Sequence, residues 1–526
     1  MKLTIPAFGE TQFSDHRENA SSRVVLMENA DAGAFDAYAS LLEENGYRRM
    51  EAYAQGGHRF AAYFDGERGM FLNEYAAIGR LTIVEEEPCC YFAYEDVCAK
   101  ASVPAQITQV SLEDFGMSYV IRLTDGRFIV FDGGREFEPD RERLYRCLSD
   151  GAMGKKPVIA AWILTHPHSD HFHCMIGFME QYGDAVTVEK FFYNFPEPDD
   201  YEHYPALGHK DKRFEDSSAT TNIPRMLEQV EKSGAAVYTP HTGQRYRIGD
   251  AQIEILSCMD DTLHCTQNVN ASSLVIRMEL AGQVILWAAD VPFSDARLPE
   301  RYGEYLKADI LQVPHHGFQS GTAAAEIRGY ELIRPQVCFL PVSEHNAFTI
   351  FCIYREGARY LMSKAGIGEL ITGSVQRTIT LPYTPPEYAK WELEQRYLTG
   401  LDNAGSCTWM FSGLHTGREE DFRFTILNTV NFAATVWIEL FFEDAARKVR
   451  FIKAQVPAGS LRQVNIVGED VDADAIYFGY LSLKKQGIPE NAPFAVRFMS
   501  DVPVVVSHPD HPASYHAAGN RILRTF

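Results

Sequence analysis

The chain has 526 residues, 46% of them hydrophobic and 23% charged, so it is globular and too long for a single hydrophobic core, and we expect three domains. Its formal net charge of -22, with no run rich in lysine or arginine to follow a phosphate backbone, disfavours a long nucleic acid as a partner. It has no apolar stretch of about 20 residues, no secretory signal pattern and no CxxC pair among its ten cysteines, so we expect a cytoplasmic protein with reduced thiols and no membrane contact.

Residues 1–104 predict a small α+β domain of unknown role. The segment DAGAFDAYASLLEENGY has apolar residues at helical spacing, and four short alternating segments after it predict an antiparallel sheet. His58 lies in one of these segments and is predicted as a surface strand residue rather than a metal ligand.

Residues 105–385 form the predicted second domain, and residues 400–526 the third. In the second, strand patterns such as VIAAWILTH alternate with helical patterns such as NIPRMLEQVEKSG, which indicates layered sheets with helices. The segment LPYTPPEY then marks a linker through its prolines. The third region consists almost entirely of alternating segments such as TVWIELFFED, which predicts an all-β sandwich or barrel, and we favour the sandwich.

The stretch LTHPHSDHF carries three histidines and one aspartate directly after an apolar run. His166 and His168 are two residues apart, so at an extended strand end they point to the same side. The serine that follows is a good N-cap for a helical pattern, which places Asp170 and His171 in the first turn. Four side chains of metal-ligand type would then converge at one corner. The alternative is a polar turn at the end of a buried strand, and we favour the metal site.

This stretch resembles the HxHxDH signature of the metallo-β-lactamase-like hydrolases. Three further segments, one before this stretch and two after it, are similar to segments of that family and occur in the family's order. They are FGMSYVIRLTDGRFIVFDGG, NASSLVIRMELAGQVILWAAD and LKADILQVPHHG. The double His-Gly form of the last segment is similar to the hydrolase domain of competence-type DNA-uptake proteins and to phosphorylcholine esterases. The resemblance implies a four-layer αβ/βα sandwich for residues 105–385, with the site at the sheet edges.

The resemblance also implies a dinuclear metal centre. Its ligands, in chain order, would be His166, His168, Asp170, His171, Asp290 and His315. His166 and His168 would hold one metal. Asp170, His171 and His315 would hold the second, and Asp290 would bridge both. The cofactors implied are two divalent ions, zinc first, with manganese or iron as alternatives.

The first metal lacks the third histidine that is usual in the family. Asn270 occupies the corresponding place, four residues before Leu274, and His264 lies six residues upstream of it. Either His264 reaches the site or Asn270 serves as a weak oxygen ligand. We favour Asn270, since related double His-Gly forms also carry asparagine there.

Several other histidines have a surface alternative. His203, His209 and His241 lie in polar loops and are predicted as surface residues, with contact to a substrate or metal as the lesser alternative. His345 follows the strand pattern QVCFLPV, at the edge that would bear the site, and resembles a place where related hydrolases carry a further histidine. We therefore include His345 among the catalytic candidates.

The resemblance implies hydrolysis by a metal-bridging hydroxide. Asp170 would position the hydroxide, and His316 or His345 would protonate the leaving oxygen. The double His-Gly form favours a phosphodiesterase, and the net charge favours a small phosphodiester or phosphorylated metabolite as the substrate. A lactone or other carboxylic ester is the alternative substrate. A non-catalytic sensory or scaffold protein is the alternative of a different class.

The C-terminal region has a resemblance of its own. The segments FTILNTVNFAATVWIELFFED, VPAGSLRQVNI and FMSDVPVVVSH resemble the sensory rhodopsin transducer family, small β-sandwich proteins that oligomerise. The resemblance implies a binding or assembly domain, and we expect a homo-oligomer formed through it. A sandwich that only supports the hydrolase domain is the alternative.

Overall fold

The structure is a computed structural model of the whole chain, and it divides into two compact units. One unit comprises residues 1–342 with 371–384, and the other comprises 343–370 with 385–526. The described residues are 15–18, 21–96, 100–197, 200, 221–262, 269–318, 321–342, 366–389, 406–428, 433–443, 450–466, 489, 491–511, 513 and 515–517. Within them, no helix is both long and apolar enough to cross a membrane. The domain boundaries expected from the sequence stay a prediction.

The first sheet is antiparallel and has the strand order β1-β2-β6-β5-β4-β3. Its strands are β1 (Asp15–Glu18), β2 (Ser22–Glu28), β3 (Arg48–Gln55), β4 (His58–Phe64), β5 (Gly69–Tyr75) and β6 (Arg80–Glu86). Helix α1 (Ala34–Glu44) packs Tyr38 and Leu42 against one face of the sheet, where they share a buried cluster with Leu72. The predicted helix and antiparallel sheet are thus confirmed.

The other face of the first sheet is buried as well. Phe60 and Phe71 belong to one hydrophobic cluster with Ile253 of the second predicted domain. Gly243 lies so close to this face that a Cβ atom on it would stand 2.3 Å from the ring of Phe60, and its φ of 90° also favours glycine. The N-terminal region therefore shares a core with the layers that follow it.

This second face explains why the prediction for His58 is wrong. His58 is only 1% exposed, its Nε2 lies 2.9 Å from Oδ1 of Asn73, and its ring stacks on Tyr75. The local strand pattern does not show that residues distant in sequence, such as Tyr302, cover the face on which His58 lies.

The second sheet is mixed, with the order β13-β12-β10-β9-β8-β7-β21 and a short β11 beside β10. Its strands are β7 (Gln106–Gln109), β8 (Ser118–Arg122), β9 (Phe128–Asp132), β10 (Val158–Ile163), β11 (Thr187–Val188), β12 (Lys190–Phe192), β13 (Ala236–Tyr238) and β21 (Arg377–Thr380). Its outer face is covered by α2 (Glu138–Gly151), α3 (Ser169–Tyr182) and α4 (Ile223–Ser233). Leu148 and Phe178 from these helices pack around Trp162 of β10.

The third sheet has the order β14-β15-β16-β17-β18-β19-β20. Its strands are β14 (Arg245–Ile248), β15 (Ala251–Ser257), β16 (Val275–Leu280), β17 (Gln283–Trp287), β18 (Ile310–Gln312), β19 (Val337–Leu340) and β20 (Glu369–Thr372). Strands β17, β18 and β19 are parallel, and the crossovers between them carry α5 (Leu298–Tyr302) and α6 (Ala323–Ile333). The second sheet covers the inner face of the third sheet, so these crossovers cover the outer face of the third sheet.

The second and third sheets pack face to face around buried aromatic residues. Trp287 of β17 stacks on Phe131 of β9 with the ring centroids 4.5 Å apart, and Tyr119 of β8 meets the same indole edge-on at 5.0 Å. All three side chains are inaccessible to solvent. Removing an aromatic ring from such a core costs about 3–5 kcal/mol of folding free energy. The expected α+β class with layered sheets is confirmed.

The C-terminal region is all β, as predicted. Its strands are β22 (Ser406–His415), β23 (Arg423–Asn428), β24 (Ala434–Phe442), β25 (Arg450–Val456), β26 (Leu461–Asn465), β27 (Pro493–Ser507) and β28 (Tyr515–Ala517). The long strand β27 pairs with β24 over its first half and with β23 over its last residues, so the strands enclose one core. That core contains Phe424, Ile438 and Val496.

The burial of His58 predicts a pH-dependent stability. Burial lowers the pKa of His58 to about 3, below the value of about 6.5 in an unfolded chain, so the unfolded state binds the proton first as the pH falls. This residue should therefore cost the folded state about 2 kcal/mol between pH 7.5 and pH 5. His58→Gln keeps a donor for Asn73 and does not titrate.

The measurement is urea unfolding of both proteins at the two pH values. The stability difference between pH 7.5 and pH 5 should be smaller in His58→Gln than in the wild type. Equal pH dependence in the two proteins contradicts the prediction, since every other titrating group is common to both.

Candidate metal centre

The side chains of the expected metal site follow the carboxyl ends of four strands. Asp132 ends β9 and His166 follows β10, its parallel neighbour in the second sheet. Asp290 follows β17 and His316 follows β18, which are parallel neighbours in the third sheet. The carboxyl ends of parallel strands are the usual place for ligands in such sheets. The facing of the two sheets brings both edges together at one site.

One group of possible ligands consists of His166, His171 and Asp290. Oδ2 of Asp290 lies 3.8 Å from Nε2 of His166 and 3.2 Å from Nε2 of His171. None of the three side chains is more than 2% exposed. They come from both sheets, so this group exists only in the folded unit.

A second group consists of Asp170, His171 and His316. Nε2 of His316 lies 3.3 Å from Oδ2 of Asp170 and 3.2 Å from Nε2 of His171. It also lies 3.5 Å from Oδ2 of Asp290. Oδ2 of Asp290 therefore lies within 4 Å of a histidine from each group.

The structure brings His316 into the second group, whereas the sequence analysis placed His315 there. Nε2 of His315 lies 4.0 Å from Oδ2 of Asp290 and 3.1 Å from Nδ2 of Asn270. The physical reason is the backbone: both histidines have positive φ, 50° and 52°, in the turn after β18. This turn directs the second ring inward, and it leaves the side chain of His315 24% exposed.

His168 and Asn270 lie at the open side of the first group. Nδ1 of His168 is 3.1 Å from Nε2 of His166, and the residue is half-buried. Asn270 is buried, and its Oδ1 has no hydrogen-bond partner among the described residues. His168 thus contacts His166 and Asn270 contacts His315, but neither residue belongs to the tight groups described above.

Asp132 orients the centre, a role that the sequence analysis did not assign to it. Its Oδ2 lies 2.7 Å from Nδ1 of His171, and its carboxylate also accepts hydrogen bonds of 2.7 Å from the backbone N–H and the hydroxyl of Thr165. A carboxylate on Nδ1 turns Nε2 of a histidine toward a metal and raises its basicity. The signal in the sequence was the aspartate of the D-G-G turn at the end of a buried strand.

Helix α3 begins one residue earlier than an N-cap at Ser169 would require. His168 is the capping residue and Ser169 is the first residue of the helix. The hydroxyl of Ser169 instead accepts a hydrogen bond of 3.1 Å from Nη1 of Arg135. The guanidinium of Arg135 also lies over the ring of Phe115, which meets His316 edge-on. Asp170 and His171 fall in the first turn, as predicted.

The carboxylates and imidazoles of the centre shift one another's pKa. Burial lowers the pKa of His171, but Asp290 and Asp132 outweigh it and hold the pKa well above its usual range. Burial also lowers the pKa of His316, but Asp290 and Asp170 outweigh it and raise the pKa to about 9. The protons on these two rings offset the buried negative charge.

His166 and His315 behave in the opposite way. Burial, with the nearby His171, holds the pKa of His166 well below its usual range. Burial lowers the pKa of His315 to about 4, although Asp290 opposes this shift. Both rings therefore stay neutral at physiological pH and keep a nitrogen lone pair, the form in which histidine binds a metal.

These residues fit divalent metal ions. Imidazole nitrogens and carboxylate oxygens are typical ligands of zinc, manganese and iron. Oδ1 of the buried Asp290 has no hydrogen-bond partner among the described residues, although an unpaired buried carboxylate oxygen is costly. A cation at this position would satisfy it and would replace the protons on His171 and His316.

The other candidate histidines divide into two sets. His203, His209, His264 and His345 lie outside the described residues, so their expected places are not tested. His241, predicted as a surface residue, is buried with no exposure to solvent. That prediction is wrong because the polar loop that carries it lies beneath the first sheet, where the ring of Phe71 stacks on it.

Comparison with known proteins supports the family resemblance. The sequence model of the metallo-beta-lactamase superfamily matches residues 112–245, which include the HxHxDH stretch. No curated protein matches the chain. Among solved structures, the metallo-beta-lactamase fold protein YhfI from Bacillus subtilis is similar, at 13% identity and a TM-score of 0.33, covering 53% of this chain and 100% of that one. Human tRNase Z, short form, is similar at 12% identity and a TM-score of 0.29, covering 53% and 100%.

A further similar structure is the Anabaena sensory rhodopsin transducer. Its identity is 22% and its TM-score is 0.16, and the similarity covers 20% of this chain and 82% of that one. The resemblance to the metallo-beta-lactamase superfamily is thus confirmed over residues 112–245, and the histidines and aspartates described above can hold metal.

The contact between Asp132 and His171 predicts that Asp132→Asn weakens metal binding without removing a ligand. Asparagine tolerates the φ of 51° at this position, so the backbone should be retained. Loss of the carboxylate that orients His171 should lower metal affinity about 10- to 100-fold. The affinity is measured by competition with a chromophoric chelator, and Asp150→Asn on the surface of α2 serves as the control. An unchanged affinity would refute the orienting role.

Proposed function

We propose that this chain, with its metallo-beta-lactamase-like middle region, is a metal-dependent phosphodiesterase that acts on a small phosphodiester or phosphorylated metabolite. The observation that carries the proposal is the meeting of two ligand groups at His171, with Oδ2 of Asp290 between them. This arrangement suits two adjacent divalent ions, zinc first, with manganese or iron as alternatives. When bound, two such ions lower the pKa of a water molecule and stabilise negative charge on a phosphoryl oxygen.

The chain's own residues would hold and orient the reactants. His166 and His168, with Asn270 as a weak oxygen ligand, would hold one ion. Asp170, His171 and His316 would hold the other. We assign this last role to His316 rather than His315, because only His316 contacts both Asp170 and His171.

His315 is then the residue best placed to contact the substrate. Its side chain is 24% exposed, whereas that of His316 is 1% exposed. We assign His315 this contact on its exposure alone, because its Nδ1, which has no hydrogen-bond partner among the described residues, is itself buried. The sequence analysis proposed His316 or His345 to protonate the leaving oxygen, and His345 lies outside the described residues.

A fixed cation beside the centre supports a phosphate substrate over a lactone. The guanidinium of Arg135 is held by Ser169, at the start of α3, and by Asp114. Burial raises the pKa of Asp170, but His316, His171 and Arg135 outweigh it and hold the pKa well below its usual range. A planar guanidinium matches the oxygens of a phosphoryl group. The net charge of -22 supports a small substrate, since it repels a long polyanion.

One observation favours the non-catalytic alternative. Asn270 replaces the histidine that would complete the first metal site, and an amide oxygen is a weaker ligand than imidazole for zinc. A protein that binds only one ion tightly could keep the fold as a sensory or scaffold element. The assay therefore needs both a metal count and a turnover measurement.

The proposal is tested on metal-supplemented full-length protein with three substrate types: bis(p-nitrophenyl) phosphate, aryl carboxylic esters and lactones. Turnover of the phosphodiester alone, or in clear preference, is the expected result. Preference for the ester or lactone overturns the proposed substrate class. Silence towards all three with the metals bound favours the non-catalytic alternative.

Asp170→Asn tests the mechanism separately. The change removes a charged ligand that contacts His316, so turnover should fall at least about 100-fold. Circular dichroism should show the fold retained, since the side chain keeps its shape. The surface variant Asp150→Asn should keep wild-type turnover. Survival of activity in Asp170→Asn means that the assigned centre does not perform the reaction.

We further propose that the C-terminal sandwich assembles the chain into a homo-oligomer. Leu427 and Leu461 lie opposite each other on the paired strands β23 and β26, and both are exposed, the second at 59%. Exposed apolar residues on neighbouring strands are typical of an interface. A chain that ends at residue 395 should have the solution mass of a monomer and should keep its metal. A full-length protein that is already a monomer contradicts the assembly role.

A further inference from the structure

A second cluster of ligand-type side chains lies in the interior of the first compact unit, and none of its residues belongs to the centre described above. His241 is in the connection between β13 and β14, and Cys258 and Asp260 follow β15. The side chains of all three are inaccessible to solvent. Their ligand atoms lie within 4.8 Å of one another.

The contacts inside this cluster converge on a single carboxylate oxygen. Oδ2 of Asp260 lies 2.6 Å from Nδ1 of His241 and 3.1 Å from Sγ of Cys258. The hydroxyl of Thr242 lies 3.4 Å from the same sulfur atom. One nitrogen and one sulfur therefore lie against the same carboxylate oxygen, and all three atoms are of types that bind metal.

We propose that His241, Cys258 and Asp260 bind one transition-metal ion of the zinc type, in a structural site separate from the first centre. Thiolate, imidazole and carboxylate are the three side-chain ligands that zinc uses, with bond lengths of about 2.0–2.3 Å. A small opening of the present contacts accommodates them. Binding would require Sγ to release its proton to solvent and the ring of His241 to carry its single proton on Nε2, so that the lone pairs of Sγ and Nδ1 are free for the ion.

Glu86, at the end of β6, provides the second observation. Its Oε1 lies 4.0 Å from Nε2 of His241, on the side of the ring opposite Asp260. Glu86 is only 4% exposed, and its Oε2 has no hydrogen-bond partner among the described residues. A carboxylate behind the free nitrogen of a metal-binding histidine is the usual way in which proteins orient such a ligand. If an ion binds Nδ1 of His241, Glu86 lies on the side of the other ring nitrogen, Nε2.

The balance of charge also supports a cation here. Glu86, Asp260 and Asp261 are all buried within this part of the unit. The guanidinium of Arg301 lies 3.3 Å from Asp261, so its charge is directed to that carboxylate. His241 then lies between the carboxylates of Glu86 and Asp260. Because several carboxylates buried close together are costly to keep ionised, a divalent ion would stabilise this group.

The proposed site joins three segments that are distant in sequence: the end of the first sheet at Glu86, the loop at His241, and the residues after β15. A structural metal at such a junction contributes directly to folding, since its site does not exist in the unfolded chain. Full burial also means that the ion is taken up during folding and exchanges slowly.

Cobalt substitution distinguishes the two sites because only the second contains a thiolate. The full-length protein is produced in zinc-poor medium with added cobalt, and its absorption spectrum is recorded together with its metal content. A thiolate-to-cobalt charge-transfer band in the near ultraviolet is expected in the wild type. Cys258→Ser should lose this band and one equivalent of metal, while the visible bands of the first centre remain.

Cys338→Ser is the matched control, because Cys338 is also a buried free cysteine but lies in β19. It should keep the band. Asp260→Asn should weaken or shift the band, which gives a second variant if Cys258→Ser fails to fold. A wild-type cobalt protein with visible bands and no thiolate band overturns the proposal, as does a band that persists in Cys258→Ser.

Discussion

The face-to-face packing of the second and third sheets is the constraint on which the candidate centre depends. Phe131 and Trp287 stack at the middle of this interface. Each lies near the end of its strand, shortly before a carboxylate of the site. Asp132 follows Phe131 directly, and Asp290 follows Trp287 after two alanines. The hydrophobic contact therefore sets the separation of the two carboxylates. Neither sheet alone carries a complete set of ligands.

Backbone conformation then directs the side chains within that frame. Four residues other than glycine have positive φ at the strand ends around the centre: Asp132, Ala289, His315 and His316. Each such residue costs of order 1–3 kcal/mol, and such costs persist where the surrounding structure compensates for them. Here the compensation is the rigid packing of both sheets. The strain allows short turns to aim carboxylate and imidazole groups at one point.

The sequence was informative where local spacing decides the geometry and uninformative where tertiary contacts decide it. The spacing of Asp170 and His171 after a buried strand sufficed to place both in a first helical turn. Which of the adjacent His315 and His316 points into the centre depends on the left-handed turn that they form, which no spacing shows. His241 was taken for a surface residue because its loop is polar, and its burial depends on a sheet formed far away in the sequence.

The shared core of the first sheet has a consequence for synthesis of the chain. Phe60 and Phe71 are translated long before Gly243 and Ile253, the residues that cover them. The nascent N-terminal sheet therefore presents an apolar face while much of the chain is still to be made, which is a typical cause of aggregation during folding. The same face makes the N-terminal region inseparable from the layers that follow, so a protein shortened to its metal-binding region would permanently expose the apolar residues that this face covers, such as Ile253.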